Sequence, residues 1–172
     1  MRRHILFITA LVLAGCATTL ETVYVPAENK GWKVGSGVNR ATATLVEFIP
    51  SDESIANWSR MFTIQFFEGE RESPQRVMTS IQALTTAKCP GTMWNVVTAD
   101  ALSVTYEWRV SGCPGQLDQV ELARLLRGND GVHRIAYVRR GAVLDSSERD
   151  KWLAAFANAY VEKGGKRVVV AP

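Results

Sequence analysis

The chain is short of the residue types from which active sites are most often assembled. It holds two histidines and three cysteines in 172 residues, and His133 is the only histidine beyond the first few positions. Cys89, Cys113 and His133 supply too few groups for a four-ligand zinc site. A close CxxC pair for local dithiol exchange is missing, and so is a serine elbow of the GxSxG type. Gly35-Ser36-Gly37 lacks the lysine and the following helix that a phosphate loop requires, so it reads as a turn. No apolar run reaches the roughly 20 residues of a membrane-spanning helix.

What is present begins at the amino terminus. Met1-Arg2-Arg3-His4 is followed by the apolar stretch Ile5 to Leu13 and then by small residues, the pattern of a secretory signal. Within it, Leu13-Ala14-Gly15-Cys16 resembles the lipobox of bacterial lipoproteins. That resemblance covers the signal alone. It implies cleavage of residues 1–15, a diacylglycerol on the Cys16 thiol and a further acyl chain such as palmitate on its new amino group. More than one chain makes membrane anchoring stable. Ala17 replaces the aspartate associated with inner-membrane retention, which implies the outer membrane, facing the periplasm. Removing residues 1–15 takes two arginines and no acid, so the formal charge falls from +3 to +1. A nearly neutral exported chain is a poor nucleic-acid binder, and no nucleic-acid partner is expected.

The same resemblance leaves Cys89 and Cys113 as the remaining thiols, in a compartment where disulfides persist. They are expected to pair. Each opens a Cys-Pro-Gly turn, and together the two turns bracket a pair of expected strands.

Residues 16–40 read as a lipidated tether and arm, with a short strand near 21–26 and a turn-rich run over 28–37. Residues 41–172 read as one domain. Alternation predicts strands over 41–49, 60–67, 94–97, 102–110 and 132–139. Ser73 before Pro74 opens a helix over 74–88, with Val77, Ile81 and Leu84 on one side. A second helix is predicted over 116–127, entered through Asp118 and Glu121 as a capping box and Leu117 with Leu122 as a staple. A third runs over 148–161, where Trp152, Phe156 and Tyr160 recur every four residues. Lys166 to Val170 forms either an edge strand or a small partner-binding extension. The order predicts an α+β fold: a ferredoxin-like βαββαβ core with an antiparallel sheet, an extra amino-terminal strand and a carboxy-terminal helix.

For function, His133 sits in a predicted strand and reads as structural. Asp100, Glu107 and Asp118 read as a turn former, a strand-solvating charge and a helix cap. No catalytic set, metal or cofactor is expected. The reading is a non-enzymatic protein-binding or complex-assembly module of the envelope. Its candidate partner-binding residues are Trp58, Arg60, Glu107, Arg109, Arg139 and Arg140, because tryptophan buries a large rigid area and arginine makes planar multidentate contacts. A small-molecule or lipid-binding lipoprotein with an apolar pocket is the alternative, and an envelope hydrolase is third. The intact mass of membrane-extracted protein is expected to lack residues 1–15, to carry acyl chains, and to fall two hydrogen atoms short of the fully reduced chain.

Overall fold

The computed structural model describes residues 20–27, 30–40, 43–141 and 143–170. The signal stretch and Cys16 lie outside the described residues. Among the described residues, ten strands and two helices follow one another: β1 Glu21–Tyr24, β2 Trp32–Arg40, β3 Ala43–Pro50, β4 Arg60–Glu68, α1 Pro74–Lys88, β5 Met93–Ala99, β6 Ser103–Val110, β7 Gln119–Arg127, β8 Gly131–Arg140, α2 Ser146–Ala157, β9 Tyr160–Lys163 and β10 Lys166–Arg167. Seven strands form an antiparallel sheet in the order β2-β3-β4-β8-β7-β6-β5, and β1-β9-β10 form a second, small one.

Successive side chains of a strand point to opposite faces, so each face of the large sheet needs its own cover. On one face Val77, Met78 and Ile81 of α1 pack on Val104, Tyr106 and Trp108 of β6, Ala123 and Leu125 of β7, and Val132 and Ala136 of β8. On the other, Trp152, Ala155 and Phe156 of α2 pack on Leu122 and Leu126 of β7 and Ile135 and Tyr137 of β8. Val161 of β9 and Val23 of β1 join that layer. Phe156 is completely buried, and a side chain of that kind contributes about 1.5–3 kcal/mol of transfer free energy.

The fold is therefore α+β with an antiparallel sheet and two helices, but it is not a ferredoxin-like βαββαβ unit. The decisive difference is β7, for which the sequence predicts a helix over 116–127. Glu121, Ala123 and Leu125 face α1 while Leu122 and Leu126 face α2, and all five are buried. A strand covered on both sides loses its alternation, and a short apolar run then looks like a buried helix turn. Asp118 caps no helix. It accepts hydrogen bonds from Ser111 Oγ at 2.7 Å and the Gly112 amide at 2.8 Å, closing the β6–β7 connection. Glu121 takes the Trp108 indole N–H at 2.7 Å and Arg134 at 2.5 Å. Burial pushes the Tyr106 hydroxyl beside them up to about 12.

Two further boundaries differ. The last helix spans Ser146–Ala157 and not 148–161, because Asn158 and Ala159 end it and Tyr160 begins β9. Of the run read as turn-rich, residues 32–37 belong to a strand: β2 starts at Trp32 and pairs with β3. Gly35 lies at a register shift in that pairing, where an added Cβ would sit 3.0 Å from Ile49 Cγ1. The composition that suggests a turn serves close packing. Strand β2 belongs to the large sheet and β1 to the small one. Helix α1 has the expected bounds and Ser73 cap, with the Ser73 hydroxyl accepting from the Arg76 amide. Of the two readings for the tail, β10 pairs with β9 as an edge strand.

Cys89, just past α1, is bonded to Cys113 in the β6–β7 connection, with Cα atoms 5.9 Å apart. The link encloses the β5–β6 hairpin and is worth about 3–4 kcal/mol in the chain-entropy account.

A second fastening holds β1. Glu21 is 3 % exposed and accepts from the backbone amides of Asn129 at 2.9 Å and Asp130 at 3.0 Å. Its Oε2 lies 3.4 Å from His133 Nε2, and the imidazole stacks on Phe66 at 4.4 Å. Gly128 leaves the necessary room: a Cβ there would approach Glu21 Oε2 to 2.2 Å. Asp130 is in turn paired with Lys163 of β9 at 2.7 Å. Glu21→Ala is expected to cost about 1–3 kcal/mol and to speed hydrogen exchange at the Asn129 and Asp130 amides. Desolvation lowers the His133 pKa in the fold, against the opposing pull of Glu21. The folded state then binds the proton less readily than the unfolded one, so stability falls as pH drops below the ordinary histidine value of about 6.5. Urea melts between pH 7 and 5 are expected to show that slope, and His133→Gln to flatten it.

Candidate functional site

Helix α2 is capped by Asp145, whose carboxylate accepts from the amides of Ser147 at 2.9 Å and Glu148 at 3.3 Å. This entry directs Glu148 and, one turn on, Trp152 toward the sheet. Trp152 is 7 % exposed. Its ring stacks on Tyr137 of β8 at 4.4 Å and on Phe62 of β4 at 5.3 Å, and meets Trp32 of β2 edge-on at 6.4 Å. Phe62 and Tyr137 are brought together by the β4–β8 register. An aromatic wall thus forms from residues 32, 62, 137 and 152, which come from four different elements, β2, β4, β8 and α2.

Against that wall lies a cleft of about 860 Å³, whose lining includes Tyr24, Lys30, Trp32, Arg60, Glu148 and Trp152. The segment leaving β1 forms one side and α2 another. A neighbouring cavity of about 320 Å³ shares Tyr24, Trp32 and Trp152 and is lined by Phe48, Phe62 and Ile64. The mouth is polar. Arg60 holds its guanidinium 5.4 Å from the centre of the Trp32 ring. The Tyr137 hydroxyl donates to Glu148 Oε1, and Arg139 Nη1 lies 3.6 Å from the same oxygen. Burial, reinforced by that carboxylate, pushes the Tyr137 pKa well above the usual phenol range. Tyr137 therefore serves at neutral pH as a donor and not as a base. The Ser147 hydroxyl donates to the capping Asp145 at 2.6 Å. Among the described residues, no group of three or more His, Cys, Asp or Glu side chains converges as a metal site.

Four of the six sequence-predicted residues gather at this end of the large sheet. Arg60 lines the cleft, and Arg139 stands opposite it in the β4–β8 register. Trp58 and Arg140 lie beside them in a shallow depression shared with Glu53 and Arg139, with the Arg140 guanidinium 4.8 Å from the Trp58 ring. Arg140 also donates to Asn57 Oδ1 at 3.3 Å, and Trp58 packs on Ile49, Met61 and Val138. Glu107 and Arg109 stand apart on β6. Glu107 pairs with Arg149 at 2.6 Å and so fastens α2, while Arg109 Nε donates to the Met93 sulfur at 3.3 Å. Sequence reasoning overlooked Trp32, Tyr137 and Glu148 and took Trp152 for core alone. A usable signal lay in α2, whose Glu148 and Trp152 fall four apart on one helical stripe.

No family model matches the chain, and no curated protein matches it. Among solved structures, the Saccharomyces cerevisiae Ran-binding protein Mog1p superposes with a TM-score of 0.39 at 10 % identity. The alignment covers 80 % of this chain and 85 % of that one. A likeness of that size carries no argument about what this chain does. Among the described residues, no helix is long and apolar enough to cross a membrane.

Tyr137→Phe is expected to cost about 1–2 kcal/mol in urea unfolding, the loss of one buried donor to a carboxylate. Trp152→Ala is expected to cost about 3–5 kcal/mol, since it removes the ring on which the others pack.

Proposed function

We propose that the protein is a non-enzymatic envelope lipoprotein that binds a protein partner, with the cleft around Trp32, Trp152 and Arg60 as the binding surface. The observation that carries this reading is the Arg60 guanidinium stacked over Trp32 at the mouth of a cleft backed by a second indole. Tryptophan and arginine held in place before contact are the residue types that dominate protein interfaces, because little side-chain freedom is lost when they are covered. Lys30 and Arg60 lie on the rim together with Glu148, so a partner segment carrying an apolar side chain beside an acidic one fits best. Anchoring at Cys16 and an outer-membrane site facing the periplasm rest on the lipobox resemblance. Such an anchor raises the effective concentration of the domain near other envelope proteins.

A second reading draws on the smaller cavity. Phe48, Phe62, Ile64, Val23 and Val25 line it, which suits an apolar small molecule or an acyl chain.

The test is photo-crosslinking in intact cells from a reactive residue placed at Lys30, with one at Arg109 as the distant control. A single protein adduct is expected from position 30 and none from 109. Trp32→Ala with Arg60→Glu, in protein that still melts cooperatively, is expected to remove that adduct and to weaken binding of the purified partner by tenfold or more. Equal labelling from both positions would count against the cleft, and a lipid co-purifying with the native protein would favour the second reading.

A further inference from the structure

At the other end of the sheet, on the face that α2 covers, lies a separate cavity of about 420 Å³. Its charged lining is lopsided. Arg124 and Arg127 of β7 and Arg167 of β10 contribute to it, with Asp100 as the acid among them. The Asp100 carboxylate is already engaged: it accepts from the amides of Leu102 at 2.8 Å and Ser103 at 2.7 Å, and from Ser103 Oγ at 3.0 Å. Among the described residues, none of the three arginines forms an ion pair.

Each guanidinium is instead positioned by neutral groups. Arg124 donates to the Phe156 carbonyl and, at 3.1 Å, to Ser103 Oγ, while its Nε is buried with no hydrogen-bond partner. Arg127 donates to the Glu70 carbonyl at 2.7 Å. Arg167 lies over the Tyr160 ring at 4.9 Å. Burial, with Arg167 adding to it, lowers the Arg124 pKa despite the opposing influence of Asp100. Three guanidinium groups against one carboxylate, and none of them in a direct ion pair among the described residues, favour an anion that supplies the missing charge. The remainder of the wall is apolar, with Leu102, Leu126, Val161, Val168 and Val170.

We propose that this cavity binds a phosphate ester that carries an apolar group. Arg124 and Arg167 hold the phosphate, whose oxygens match the planar guanidinium fork, and the apolar portion lies against Leu126, Val161 and Val168. The site shares no lining residue with the aromatic cleft. It stands or falls independently of the partner-binding reading.

The test follows the arginine side-chain Nε–H signals of the purified chain by NMR while three probes are added separately: inorganic phosphate, hexyl phosphate and dihexanoylphosphatidylglycerol. Hexyl phosphate is expected to move the Arg124 and Arg167 signals saturably and to bind at least tenfold more tightly than inorganic phosphate, because several methylenes leave water. Arg167→Gln, at an exposed position, is expected to weaken it about tenfold without altering the backbone spectrum elsewhere, and Trp32→Ala to leave it unchanged. Arg124→Lys keeps the charge but not the fork, and the same loss is expected there. Tighter binding of the glycerophospholipid than of hexyl phosphate would identify a membrane lipid as the source, and the reverse order a soluble ester. Saturation by none of the probes would overturn the proposal. So would equal affinity for inorganic and hexyl phosphate, or undiminished binding by Arg167→Gln.

Discussion

The sheet has to be covered twice, and most of the architecture answers that constraint. Ala123 and Ala136, opposite one another on β7 and β8, are wholly buried, as are Leu122 and Ile135 on the reverse side. Backbone amides and carbonyls at this depth are satisfied by the ladder itself, while the side chains require apolar cover on both faces. Helix α1 supplies one cover and α2 the other. Because α2 is only twelve residues long, β1, β9 and Trp32 of β2 extend its layer. The aromatic cleft is where that assembled second layer does not close.

Charge is handled differently on the two faces. On the α1 side Glu121 and Arg134 form a nearly dry pair, tied to Trp108, Tyr106 and, at 3.5 Å, Gln65. Burial opposes the charge on Arg134, yet Glu121 and the Tyr106 oxygen more than restore it and raise its pKa. Removing one member of such a pair strands the other, at a typical cost of about 3–5 kcal/mol. On the α2 side Glu21 is buried under the β7–β8 turn, while Arg60 and Glu148 stand at one margin and the arginine cavity at the other. The first arrangement binds the domain to itself. The second leaves charged groups at the mouths of cavities, where an added ligand or partner can reach them.

Legibility in the sequence followed local rules closely. Ser73-Pro74 fixes the start of α1 because both the cap and the missing proline donor act within one turn. Strands β4 and β6 are recognisable because Phe62, Ile64 and Phe66, or Val104, Tyr106 and Trp108, recur at every second residue. Strand β7 is not, because tertiary cover on both sides erased the period. The four-residue recurrence Trp152, Phe156, Tyr160 runs through a real helix end, and only the pairing of Tyr160 with Tyr24 reveals the break. At the cleft, Arg60 and Arg139 are selected by residue type alone. Their neighbours Trp32 and Tyr137 reach them through sheet order, and strand pairings between distant segments leave no local periodic trace.

The burial of Glu21 bears on how far the domain can stray. If Cys16 carries the lipid as proposed, five peptide steps separate the acylated residue from a side chain locked under the β7–β8 turn. Even a fully drawn-out chain of that length reaches no more than about 18 Å. The leash is shorter than the domain it restrains. His133, beside Glu21, and Arg139, near the aromatic mouth, stand six residues apart on one strand, a rise of about 20 Å. With such an anchor the Glu21 end of that strand would be held within about 18 Å of the acylated residue, and the Arg139 end could stand a further strand length away.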